Sequence, residues 1–144
     1  MAAPRHQLVD PATAGYYHCV SRCVRRAFLC GADPVSGRSF DHRKSWIESR
    51  LIELAGIFAV GLYAYAVMSN HVHAVIHVDP TTAARWPDAE VAERWVRLFP
   101  ARANGEVDPE GCRRRRDAIL GNPARLAQCR SRLGSLSWFM RCLA

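Results

Sequence analysis

The spacing of apolar and polar residues changes period several times along the chain, and each change marks an element. Residues 16–24, YYHCVSRCV, are β-branched and aromatic enough to form a strand. The following CGADPVSGRSF carries Gly31, Asp33-Pro34 and Gly37 and reads as a loop. In DHRKSWIESRLIELAGIF, residues Trp46, Ile47, Leu51, Leu54, Ala55 and Phe58 share one stripe at helical spacing, with Asp41 positioned as N-cap. Two apolar runs then flank Ser69-Asn70, GLYAYAVM before it and HVHAVIHV after it, and predict a β-hairpin.

Beyond Asp79-Pro80 the texture becomes helical. Asp88 opens a helix with Val91, Trp95, Leu98 and Phe99 on one side, stopped by Pro100. ARANGEVDPEG reads as a loop, Asp108-Pro109 starts a helix ended by Gly121, and PARLAQCRSRL forms another ended by Gly134. Ser135 caps a last one, SLSWFMRCL. The order strand, helix, strand, strand, helix predicts an α+β, ferredoxin-like (RRM-like) antiparallel sheet with helices on one face. The part after residue 80 is expected to be helical and to leave that fold incomplete, because it holds no convincing final strand. One domain over residues 1–144 is expected, with a strand–helix–hairpin core at 16–80 and an arginine-rich extension at 81–144.

Composition narrows the class. The 144 residues suffice for one core, and 49% of them are apolar, which argues against a disordered tail. No apolar run reaches the roughly 18 residues a membrane span needs, and MAAPRHQLVD has no apolar signal core. A cytoplasmic protein is therefore expected. The formal net charge of +7 favours a polyanionic partner, nucleic acid above all. Lys44 is the only lysine; the other positive side chains are arginines. The cysteines Cys19, Cys23, Cys30, Cys112, Cys129 and Cys142 form no C-x-x-C pair and are expected to be reduced thiols.

Chemistry concentrates in MSNHVHAVIHV, residues 68–78, where His71, His73 and His77 interrupt an apolar run. If Ser69-Asn70 is a two-residue turn, Met68 faces His71, Ala66 faces His73 and Ala64 faces Val75. One sheet face then carries Tyr63, Tyr65, Val67, Val72, Ala74, Ile76 and Val78 against the helices. The other carries Leu62, Ala64, Ala66, Met68 and the three histidines. His71 and His73, at i and i+2, start about 7 Å apart and can converge on one cation, whereas His77 lies about 13 Å beyond His73. Spacing alone leaves open whether the pair binds metal or is simply two polar residues on a half-exposed strand. The metallo-β-lactamase pattern fails because Val75 stands where Asp is required.

The stretch FDHRKSWIESRLIELAGIFAVGLYAYAVMSNHVHAVIHVDP, with YYHCVSRCVRRAFLCG before it and SLSWFMRCL near the end, resembles the REP-associated branch of the HUH single-tyrosine transposases. The resemblance implies a ferredoxin-like domain that cuts and rejoins single-stranded DNA, often at hairpin-forming sequences. It implies that His71 and His73 bind a divalent cation, Mg or Mn, which polarises the scissile phosphate. It further implies attack by a tyrosine and a 5′-phosphotyrosine intermediate. Ligand softness alone would favour zinc or another borderline metal for paired imidazoles.

The family's tyrosine sits on a helix downstream of the SLSWFM-like block. Tyr16, Tyr17, Tyr63 and Tyr65, the only tyrosines present, all precede the histidine motif. The expectation is a truncated transposase that retains DNA and metal binding without cleavage. His18 and Asn70 are the nearby substitutes for a third metal ligand. Arg22, Arg25 and Arg26 near the end of the first strand, and Arg113, Arg114, Arg115 and Arg116 on a predicted helix, are the candidate phosphate contacts. Trp86, Trp95 and Trp138 are candidates for stacking bases, with helical spacing favouring core roles for the last two. The alternative reading is a non-catalytic nucleic-acid-binding module on an RRM-like sheet. A small zinc-dependent hydrolase would need a third ligand and a catalytic carboxylate that cannot be placed. Incubation with single-stranded DNA and Mn should therefore give no covalent adduct on a denaturing gel; a shifted, nuclease-sensitive band would overturn the expectation.

Overall fold

The computed structural model describes residues 5–22 and 31–144. Three strands form one antiparallel sheet: β1 (Gly15–Arg22), β2 (Val60–Val67) and β3 (His71–Val78), in the order β1-β3-β2. A short α1 (Arg5–Leu8) precedes them and α2 (His42–Ile57) connects β1 to β2. Then come α3 (Pro80–Arg85), α4 (Asp88–Leu98), a two-stranded ribbon of β4 (Arg102–Ala103) and β5 (Glu106–Val107), and α5 (Pro109–Leu120), α6 (Pro123–Leu133) and α7 (Leu136–Leu143). The α+β class and the ferredoxin-like placement of a hairpin strand between its partner and β1 follow from this order. Among the described residues no further strand joins the sheet.

The strand at the centre sets the layers. Along β3 burial alternates without a break: Val72, Ala74, Ile76 and Val78 are buried, and His71, His73, Val75 and His77 are half-exposed. Of these, Ala74, Ile76 and Val78 join Leu51, Leu54, Ile57 and Phe58 of α2 and its end, Val91 and Trp95 of α4, Leu133 of α6, and Phe139 and Met140 of α7 in one apolar core. The Phe58 and Phe139 rings meet edge-to-face at 5.6 Å. No buried polar or charged residue interrupts this core among the described residues.

Two half-buried arginines tie the helical layer together. Arg94 donates to the carbonyls of Gly56 and Ile57 at 2.8 and 2.9 Å, which satisfies acceptors left free where α2 ends. Arg130 donates to the carbonyls of Ala83 and Trp86 at 2.7 and 2.6 Å and pairs with Asp88 at 2.6 Å, fixing the corner between α3 and α4.

Several elements depart from the sequence pattern. Trp46, expected on the buried stripe of α2, is 65% exposed, because nothing before Leu51 in that helix is buried. Asp41 precedes α2 in helical conformation and caps nothing; its carboxylate accepts from the Ser39 hydroxyl instead. ARANGEVDPEG is not a plain loop: Asn104 and Gly105 take φ of 52° and 86° and turn β4 into β5. Those are the positive angles a two-residue hairpin turn demands, and Asn-Gly is the pair that supplies them. The short α3 is a helix that no apolar period marks, started by Asp79-Pro80, with Asp79 accepting from the Thr81 amide at 2.9 Å.

Because Phe139 is fully buried near the chain's end, Phe139→Ala should cost about 3–5 kcal/mol. Trp46→Ala should stay within about 0.5 kcal/mol. Urea denaturation of both variants checks whether α7 is an integral part of the core.

Candidate functional site: the open face of the sheet

The face of the sheet turned away from the core is built by strand parity. The register sets Tyr16 against His77, His18 against Val75, Val20 against His73 and Arg22 against His71. On the other side Ala66 pairs with His73 and Ala64 with Val75. Met68 donates its amide to the His71 carbonyl at 2.8 Å, closing the hairpin around Ser69-Asn70 as expected. His71, His73 and Arg22 thus meet at one end of the face, with small alanines alongside. None of the strand residues on this face is Asp or Glu.

The two histidines share a site. Their rings lie 4.6 Å apart, close to perpendicular. The Nδ1 of His71 donates to the side-chain oxygen of Asn70, which holds one tautomer and leaves Nε2 with a free lone pair. The Nδ1 of His73 bonds Nε2 of His18 at 2.8 Å, with the two rings stacked at 5.0 Å. This bond engages the Nδ1 of His73 in either tautomer, and with His73 as its donor the Nε2 of His73 is free as well. Partial desolvation, then the His71 and His18 rings and the Arg22 guanidinium, hold His73 below the usual histidine range and favour its neutral form. Neutral imidazoles with an engaged Nδ1 and an open Nε2 are the form in which histidine ligates cations. His18 enters here through β1, which lies far off in sequence from the histidine motif. Among the described residues no group of three or more His, Cys, Asp or Glu has metal-site geometry.

At the opposite end of the face His77 is not solitary. Its ring lies 4.5 Å from Tyr16 and 6.0 Å from Tyr63, and those two tyrosines meet edge-on at 5.1 Å. A hydrogen bond with Tyr63 raises the Tyr16 phenol above its ordinary value. Strict alternation had placed Tyr63 on the core face and Leu62 outside. A bulge between Leu62 and Ala64 reverses both: Leu62 pairs with buried Ile76 and packs on the core, and Tyr63 is 62% exposed. Tyr65 keeps the inner parity, opposite Ala74, but is 40% exposed and does not join the core, whereas Tyr17 packs against it.

The arginines divide. Arg22 is exposed beside the histidine pair, while Arg25 and Arg26 lie outside the described residues. The run on α5 sits in the helical layer, where α5 packs on α4 and α6. Arg113 pairs with Glu110, Arg114 with Asp108 and Glu110 at 3.6 and 3.7 Å, and Arg116 with Glu93 and Asp117 at 3.0 and 3.1 Å. Arg115 donates to the Phe99 carbonyl. The structure does not bring this run to the open face. Trp95 is buried, Trp138 lies beneath Arg132 at 4.4 Å, and the face of Trp86 is covered by Arg94 at 4.0 Å. Cys112, Cys129 and Cys142 are free thiols, Cys19 packs against the core, and Cys23 and Cys30 lie outside the described residues.

No protein-family model, no curated protein and no solved structure matches the chain. No helix among the described residues is long and apolar enough to cross a membrane.

The Asn70 side-chain oxygen can only accept, so its bond with His71 selects a tautomer that nitrogen chemical shifts read directly. In ¹⁵N-edited spectra near neutral pH, His71 should carry its proton on Nδ1. Asn70→Ala should release that preference toward the mixture of a free imidazole.

Proposed function

We propose that this chain is a transposase-like protein that binds single-stranded DNA across the open face of its sheet. In this reading His71 and His73 hold a divalent cation, Mg or Mn, through their Nε2 atoms against a DNA phosphate. The observation that carries it is the pairing of two adjacent imidazoles whose Nδ1 atoms are both engaged, on a face without a carboxylate. A neutral imidazole with a bare Nε2 cannot donate to a phosphate directly, so a cation between them reconciles the two. Two nitrogen ligands without a carboxylate suit Mn better than Mg, and phosphate oxygens supply the hard ligands that either ion prefers. When bound, the ion would polarise the phosphoryl oxygens and neutralise their charge. Asn70 and His18 orient the pair, and Arg22 adds a positive charge at the same end. The net charge of +7 supports a polyanionic partner and a salt-sensitive affinity.

Strand cleavage by a described tyrosine is not part of the proposal. Tyr16 and Tyr63 stand beside His77 at the far end, and Tyr17 and Tyr65 are on the inner side. The non-catalytic binding module remains the second reading, favoured by the lack of a three-ligand cluster among the described residues.

Mn binding followed by electron paramagnetic resonance separates the two. Wild-type protein should bind Mn, and bind single-stranded DNA more tightly with Mn than with a chelator. His71→Ala and His73→Ala should lose both effects, and His77→Ala should keep them. DNA binding that ignores both chelator and His71→Ala would select the non-catalytic module.

A further inference from the structure

The Tyr16, Tyr63 and His77 cluster is built in a way that packing does not require. Large aromatic rings normally gain by burial, yet Tyr16 and Tyr63, on the two outer strands, are 63% and 62% exposed. They come from different strands, β1 and β2, and close around His77 of β3. The β2 bulge is what turns Tyr63 outward. Gly61, opposite His77, then leaves room for its ring: a Cβ there would lie 3.0 Å from Tyr63 Cε2 and 3.5 Å from His77 Cβ. A backbone irregularity and a glycine together present a ring that regular alternation would have buried.

We infer that this cluster is a base-stacking platform, a second contact point for the single strand engaged at His71 and His73. The inference rests on reading the open face as a nucleic-acid surface. An unstacked base offers a flat, uncharged π-face that rings of this kind cover, and every base has one, so the platform takes bases without choosing among them. His77 is four residues from His73 on the same face, about 13 Å along the strand, a span of up to four nucleotides at their ~3.4 Å rise. One strand can therefore place a phosphate at the histidine pair and a base on the tyrosines. No carboxylate projects from the strand face between the two points. Asp79 lies past the end of β3, with its carboxylate engaged by Thr81 at 2.9 and 2.7 Å. The platform needs no metal, so it is testable with the cation removed.

The probe is a fluorescein-labelled dodecathymidylate, compared by anisotropy with an abasic strand of the same length, in chelator, using the full chain. Tyr63→Ala and Tyr16→Ala should each weaken thymidylate binding by about 5- to 100-fold and leave abasic binding unchanged. Tyr63→Phe, which keeps the ring, should bind like wild type. Equal losses on both strands, or none on thymidylate, with a wild-type melting temperature, would overturn the platform alone. Wild-type protein that binds neither strand in chelator would overturn the platform, and one that still binds neither strand once Mn is restored would overturn the functional reading as well.

Discussion

Everything on the open face depends on β3 being the one strand of the sheet hydrogen-bonded along both edges. Its inner residues Val72, Ala74, Ile76 and Val78 are buried against the helices, so its outer residues have no freedom of register. A slip by one position would drive His71, His73 and His77 into an apolar core and expose the residues now buried there. Full burial of each large aliphatic side chain is worth about 1.5–3 kcal/mol. Each unpaired imidazole in that core would cost on the order of 1–3 kcal/mol. The core therefore positions the histidines without touching them.

From that strand the site spreads sideways by pairing. On β1 the antiparallel register brings His18 to His73 and Arg22 to the His71 end. On β2 it brings alanines beside the histidine pair and, after the bulge, Tyr63 beside His77. The same face consequently has two chemically distinct ends, one of imidazoles and a guanidinium and one of aromatic rings. The helical layer is engaged differently. Its arginines close helix ends and pair with carboxylates, as Arg94, Arg130 and Arg116 do. The longest arginine run, on α5, is thus engaged by carboxylates and by the Phe99 carbonyl within the helical layer.

The order of elements and the shared face of His71 and His73 were legible in the sequence, because both follow from local periods: 3.6 for the helices and 2 for the hairpin. Helix starts at Asp108 and Ser135 were legible for the same reason, since a cap is a contact within one turn. Asn104-Gly105 carries an equally local signal, masked by the loop-forming residues around it. Trp46 lay beyond local rules: its stripe is helical, and only the position of α2 over the sheet decides which turns are covered.

By itself, then, the sequence determined an α+β chain with a histidine pair on one face of a hairpin. Tertiary structure decided what that pair has for neighbours. His18 reaches His73 only through the β1–β3 register, a contact 55 residues apart in the chain. Tyr63 reaches His77 only because a bulge breaks the alternation that sequence reading must assume. The physical reason is the same in both cases. A period reports which side of its own strand a residue occupies, whereas neighbours across strands are set by register, which the buried core fixes as a whole.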